Sequence, residues 1–170
     1  MPSLYACPLS RLPETVAATG ASHLVTLATM GTRVKRPPSI DPVRHLTLGV
    51  SDISAPMADH VLPAEAHVRA LLDFVQAWDR DRPLVIHCYA GISRSTAAIY
   101  GAVCALSPDR GEKAIAQELR RRSPSATPNR LIVEIADGML GRDGRMIAAI
   151  AGIGRGAEAY EGVPFAMSLV

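Results

Sequence analysis

Residues 87–96 read HCYAGISRST and follow directly on the apolar run PLVI. Cys88 and Arg94 stand at either end of five intervening residues, where a buried strand is expected to give way to a helix. In open parallel sheets, ligands bind beyond the carboxyl ends of the strands, where the next helix offers free backbone N–H groups and the positive end of its dipole. A thiol placed there beside a guanidinium is favoured as thiolate, the nucleophilic form. Tyr89, Ala90, Gly91, Ile92 and Ser93 are enough chain to curl into a cup whose amides converge on one point, and Gly91 supplies the backbone freedom for the tight turn. A dianionic phosphate suits such a cup, with Arg94 able to grip two of its oxygens. Ser95 can donate a hydrogen bond to the sulfur and so help a thiolate leave when a covalent intermediate breaks down. His87 is expected to hold the loop shape through a hydrogen bond from its ring to backbone. The chemistry these residues suit is attack of sulfur on a phosphate group.

The elements that must position this loop show in the hydrophobic pattern. Residues 23–28 (HLVTLA) predict a strand buried on both faces, 45–50 (HLTLGV) a second, and 83–88 (PLVIHC) a third. Residues 3–9 suggest a short strand, and 12–19 a short helix with a proline near its start. Val68, Leu71, Leu72 and Val75 recur at helical spacing and predict an amphipathic helix over 64–78. A helix buried on most sides is expected over 94–106, with three more over 110–121, 129–140 and 142–153. Irregular loops follow two of the strands, at 29–41 with its three cations, and at SDISAPMADH (51–60). No repeat or linker interrupts the chain, so 1–170 is expected to form one domain. Strands alternating with helices early, and helices alone late, predict an α/β fold. Its central sheet should be mostly parallel and flanked by helices, with a helical C-terminal third.

Composition narrows the partners. Only 4% of residues are aromatic, which leaves no stacking platform for single-stranded nucleic acid. A formal net charge of +2 is too small to attract polyanions, although Arg33, Lys35 and Arg36 cluster, as do Arg120, Arg121 and Arg122. No nucleic-acid partner is expected. The longest mostly apolar run, 97–106, is far short of the ~20 residues that span a bilayer, and the N-terminus lacks the pattern of an export signal. No membrane span is expected, and a cytoplasmic location is. Cys7, Cys88 and Cys104 have no CxxC spacing, which argues against a disulfide framework and a structural zinc site. Cys7 and Cys104 read as small buried hydrophobes. A disulfide between Cys7 and Cys88 stays open, because sequence supplies no distance.

His87, Cys88, Gly91, Arg94 and Ser95 match position by position the signature HCxxGxxR(S/T). On these residues the chain resembles the protein tyrosine phosphatase superfamily, in its short dual-specificity-like branch of bacterial type, over about residues 46–105. The resemblance implies a phosphatase-like fold with the phosphate-binding loop (P-loop) at a strand-to-helix junction. It also implies hydrolysis of a phosphomonoester through a phosphocysteine intermediate, with no metal or other cofactor. In the family a carboxylic acid protonates the leaving oxygen and then activates water, from a loop about thirty residues before the cysteine. Asp52 and Asp59 are the candidates. Asp52 is preferred because it directly follows a strand whose carboxyl end should lie beside that of PLVIH, whereas Asp59 reads as a helix cap or a solvated residue. Asn129 resembles an asparagine near the active site of several short phosphatases, and equally reads as a helix cap.

The larger enzymes' tryptophan-proline-aspartate loop and tyrosine-recognition segment are absent. A shallower pocket is implied, one that admits phosphoserine or phosphothreonine beside phosphotyrosine, or a non-protein phosphate. The uncharged loop positions Tyr89, Ala90, Ile92 and Ser93 argue against an inositol phosphate or phosphoinositide, for which related enzymes often carry lysines there. Arg33, Lys35 and Arg36 stand as partial replacements on a neighbouring loop. The expected partner is therefore a phosphorylated protein or a small phosphomonoester, and the oligomeric state is not legible. A rhodanese or an arsenate reductase also follows a cysteine with an arginine. Rhodanese loops generally lack the glycine and serine found here, and the reductases place the cysteine near the N-terminus with resolving cysteines close by. A module that only binds phosphorylated ligands would be expected to have lost the cysteine, the arginine or the acid, and all three are present.

Overall fold

In the computed structural model, which describes residues 3–170, five strands form one sheet in the order β3-β2-β4-β1-β5. Strands β1 (Leu4–Pro8), β2 (His23–Ala28), β3 (His45–Gly49) and β4 (Leu84–Cys88) run parallel. Their carboxyl ends, and the loops that follow them, therefore gather along one edge of the sheet. Strand β4 lies between β1 and β2, with Cys7 opposite His87 and Thr26 opposite His87 on the other side. Its five residues are all buried, as expected of a central strand covered on both faces.

Alternation along the strands sorts the core into two layers. Leu84, Ile86 and Cys88 face the larger one, with α2 (Glu65–Ala77), α3 (Arg94–Leu106), α4 (Glu112–Arg122), α5 (Arg130–Met139) and α6 (Arg145–Ile153). Val85 faces the smaller one, formed with Leu12 and Val16 of α1 (Leu12–Thr19) and with Ile40 and Val34 of the 29–41 loop. Helix α3 buries every residue except Ala105, because α2, α4 and α5 pack around it while β1 and β4 close its remaining side. The first turn of α3 is thereby held rigidly against the end of β4. Among the described residues no helix is long and apolar enough to cross a membrane.

The sequence pattern ends in helices, but the fold adds a fifth strand, β5 (Phe165–Met167), antiparallel to β1. Three residues are too few to show a period. What places them is the open edge of β1 together with fixed polar contacts. Arg110 Nη1 donates to the Ser168 carbonyl at 2.6 Å, Ser107 Oγ donates to the Leu169 carbonyl at 2.7 Å, and Ser168 N donates to Glu118 Oε1 at 3.1 Å.

The two layers also settle the cysteines. Cys7 belongs to the α1 side and Cys88 to the helical side, so their side chains leave opposite faces of the sheet. A disulfide between them would require the backbone to move. Burial pushes the Cys7 and Cys104 thiols up to about 12, which keeps both protonated and inert.

Candidate active site

The chain between β4 and α3 takes its shape from bonds that pull its carbonyls outward. Leu9 N donates to the Tyr89 carbonyl at 3.0 Å, Gly162 N to Ala90 at 2.7 Å, Thr127 N to Ile92 at 2.9 Å and Asn129 N to Ser93 at 3.2 Å. The structure contains no cis peptide among the described residues. In a trans peptide the N–H of the next residue points opposite to the carbonyl. The N–H groups of Ala90, Gly91, Ser93 and Arg94 are thereby turned toward the centre of the loop, and those of residues 89–93 donate to no protein acceptor among the described residues. Helix α3 begins with no side-chain cap, leaving its N-terminal dipole open to the same centre. Gly91 sits at φ 68°, and a Cβ there would lie 2.7 Å from Pro8 N. The end of β1 thus presses the turn into a conformation that only glycine fits.

Cys88, at the start of this loop, is 3% exposed and lines a cavity of about 150 Å³ with Arg94, Thr29, Val34 and Tyr89. The sulfur is reached only through the cavity. As a thiol it donates to Ser95 Oγ at 3.1 Å, and once ionised it can accept from the same hydroxyl. Arg94 is 7% exposed and takes part in no ion pair among the described residues. Its Nη1 donates to the Val50 carbonyl at 2.9 Å and to Thr29 Oγ1 at 3.3 Å, while its Nε is buried with no partner. A buried guanidinium with an unused N–H is costly unless an acceptor arrives. Free amides, an uncapped helix and an unpaired cation all ask for the same ligand, an anion. No three His, Cys, Asp or Glu side chains among the described residues gather to hold a metal ion.

Asp52 is brought to this ring from the end of β3, which lies not beside β4 as expected but one strand away, beyond β2, so the loop that follows it has to reach across. Its Oδ1 accepts from Ser93 Oγ at 2.7 Å and from Asn129 Nδ2 at 2.9 Å. The loop carrying it is closed at its base, where Ser51 N donates to the Val61 carbonyl and Val61 N to Ser51 Oγ. Asn129 does both things its sequence context suggests. Its Oδ1 caps α5 by accepting from Ile132 N at 3.1 Å, and its Nδ2 spans to Asp52 and the Ile53 carbonyl. Asp59 is exposed, at φ 61°, and its side chain forms no hydrogen bond or ion pair with the P-loop among the described residues.

The His87 ring is held mainly by a side chain, with only a weak backbone contribution from Cys88. Its Nε2 lies 2.7 Å from Thr26 Oγ1, its cross-strand partner, and that hydroxyl lies 2.8 Å from His45 Nε2 on β3. Backbone groups inside the sheet are committed to the ladder, so the ring finds a side chain instead. Its Nδ1 is buried without a hydrogen bond. Burial pushes the His87 pKa down to about 4, an effect that the adjoining Cys88 backbone opposes and that His45 and Arg94 reinforce. The unfolded residue titrates near 6.5 and therefore takes up a proton that the fold refuses, so stability falls as pH drops through this window. Urea unfolding at pH 7 and pH 5 should show a loss smaller by about 2 kcal/mol in His87→Gln than in the unsubstituted protein. Equal losses would mean that His87 does not titrate in this way.

Several contributors lie outside the signature. Thr29 and Val34 come from the 29–41 loop, whose cations suggest solvent while its apolar positions form the cavity wall. The Val50 carbonyl acts through backbone, which leaves no mark in residue type, and Gly162 does so from a position where only the lack of a side chain lets it approach Gly91.

A thiol under a ring of inward N–H groups, beside a buried guanidinium and a positioned carboxyl group, defines a cysteine-dependent phosphatase. The family model described as the DSP-PTPase phosphatase of polymorphic toxin systems matches residues 14–105, more than half of the chain and all of the span from Asp52 to Ser95. The chain belongs to this family of protein-tyrosine and dual-specificity phosphatases. Solved structures agree in fold. DUSP15 aligns with a TM-score of 0.64 at 16% identity over 90% of this chain and 91% of its own. The PTP-2 phosphatase of Cydia pomonella gives 0.62 at 17% over 79% and 84%, and human DUSP28 gives 0.62 at 18% over 82% and 88%. No curated protein matches the chain in sequence.

Proposed function

We propose that the chain hydrolyses phosphotyrosine in proteins, and phosphoserine and phosphothreonine as well, through a phosphocysteine intermediate on Cys88. The observation that supports this most is the set of outward-bonded carbonyls, which turns a ring of N–H groups toward the centre of the loop that begins at Cys88. The cradle would take the three non-bridging oxygens, with Arg94 Nε supplying the donor that lacks a partner. The Cys88 thiolate attacks phosphorus, and the bond to the leaving oxygen breaks as Asp52 gives it a proton. Asp52, now ionised, takes a proton from water as that water attacks the phosphocysteine. Inorganic phosphate departs, and the thiolate leaves with the Ser95 hydroxyl donating to it. Ser93 and Asn129 hold Oδ1 of Asp52, which leaves Oδ2 to carry the proton. Three free thiols suit a reducing compartment, and we place the reaction in the cytoplasm.

Leaving-group dependence tests the acid. Asp52→Ala should lower kcat on a phosphoserine peptide by about 10²–10⁴-fold, and far less on p-nitrophenyl phosphate, whose leaving group departs without a proton. Asp59→Ala should stay near the unsubstituted rate. The reverse pattern would assign the acid to Asp59. Acid-quenched reactions with labelled substrate should leave phosphate bound to the protein, and none on Cys88→Ser.

One observation favours a non-protein substrate. Arg33 and Lys35 are exposed, lie outside every ion pair among the described residues, and flank Val34 of the cavity wall. Inositol phosphates belong in the same panel, and turnover that prefers them to phosphotyrosine peptides would move the substrate to that class.

A further inference from the structure

Beside the P-loop, and apart from the cavity over Cys88, lies a second concavity of about 510 Å³. Its lining joins Ile92 of the P-loop to residues 155–160, part of the segment that runs from α6 to β5. That segment is pinned at both ends. Gly156 N donates to Thr127 Oγ1 at 3.1 Å and Ala157 N to the Pro124 carbonyl at 2.9 Å. Farther on, Ser10 Oγ donates to Glu161 Oε2 and Gly162 N to the Ala90 carbonyl, each at 2.7 Å. A Cβ on Gly156 would come within 2.4 Å of Ser125, and one on Gly162 within 2.7 Å of the Gly91 carbonyl oxygen. The segment is thus in backbone contact with the active-site walls and works as a fixed strap.

Between its two anchors the strap presents Tyr160 at 88% exposure. Scattered exposed apolar residues are ordinary. This one stands on a rigid support, in the concavity that Ile92 shares with the P-loop. The two charges in the concavity, Arg155 and Glu158, face each other at 3.8 Å and largely cancel. Beside this pair the mixed lining carries the side chains of Ile92, Ala157 and Ala159 and the ring of Tyr160. A free phosphate or a small phosphate ester seated over Cys88 has nothing with which to reach it. A polypeptide held by its phosphate extends about 3.3 Å per residue, and Ile92, which belongs to both the P-loop and the concavity, is where a neighbouring side chain would meet it.

We propose that this concavity is a substrate subsite, which packs an apolar or aromatic side chain next to the phosphorylated residue against Ile92 and Tyr160. The inference rests on the hydrolase reading and names its substrate as a polypeptide with apolar flanks. The test compares two phosphotyrosine peptides, one with leucine and phenylalanine beside the phosphotyrosine and one with serine and glycine, and adds p-nitrophenyl phosphate. Steady-state kinetics should give the apolar peptide a KM about tenfold lower. Tyr160→Ala should abolish that difference and Tyr160→Phe should keep it, while kcat/KM for p-nitrophenyl phosphate stays the same in all three proteins. Equal KM values for the two peptides, or a Tyr160→Ala loss that is as large on p-nitrophenyl phosphate, overturns the subsite alone. An unsubstituted protein inert toward all three substrates overturns the hydrolase reading, and the subsite with it.

Discussion

Cys88→Ser should turn over p-nitrophenyl phosphate at least about 10⁴-fold more slowly than the unsubstituted protein, yet still bind oxyanions. A serine hydroxyl stays protonated at neutral pH. The site offers it no general base in contact, since the neighbour of Sγ is Ser95 Oγ at 3.1 Å, and His87 is turned away toward Thr26. The substitution exchanges one small buried atom for another, so the packing of β4 against α3 survives. The cradle consists of main-chain N–H groups held by bonds from Leu9, Gly162, Thr127 and Asn129, none of which involves the sulfur. Affinity for tungstate, measured by calorimetry, should therefore stay within a small factor of the original while kcat collapses. Retained turnover would remove sulfur from the reaction. Lost turnover together with lost tungstate binding would show that the sulfur maintains the cradle.

Arg94→Lys should lower kcat/KM by about a thousandfold despite conserving charge. The guanidinium has two duties at once. Through Nη1 it fastens the Val50 carbonyl, two residues before Asp52, and through Nε it offers an N–H that no protein group uses. A lysine ammonium is a single point of charge and cannot grip β3's exit and two phosphate oxygens together. Loss of the first contact loosens the loop that carries Asp52, and loss of the second weakens the hold on the phosphate. Both kcat and KM should suffer, and inhibition by vanadate should weaken in parallel. A lysine variant within about tenfold of the original would mean that the loop amides carry the phosphate alone.

The cysteine, the arginine, the turn glycine and the serine are legible because they are local. Eight consecutive residues dictate a strand end, a tight turn and a helix start, and residue type is enough to read such geometry. Helix α3 and strand β2 also begin and end where hydrophobic pattern places them, since both are buried all round and their apolar runs are unbroken. Asn129 shows where local reading stops. Its cap on α5 follows from its neighbours, but its bond to Asp52 crosses 77 positions and depends on α5 packing beside the 51–61 loop. The same holds for His87 with Thr26, which is decided by strand order, and for β5, which owes its existence to the unpaired edge of β1.

By itself the sequence determined the strand-to-helix junction that carries Cys88 and Arg94, and the α/β layering around it. Tertiary structure alone decided which carboxyl group reaches the loop, which face each cysteine leaves from, and that the segment between α6 and β5 comes back to brace the P-loop through Gly162. Side-chain chemistry and periodicity are properties of neighbours along the chain. Which buried face meets which, and which carbonyl finds which amide, is settled only when distant segments compete for the same space.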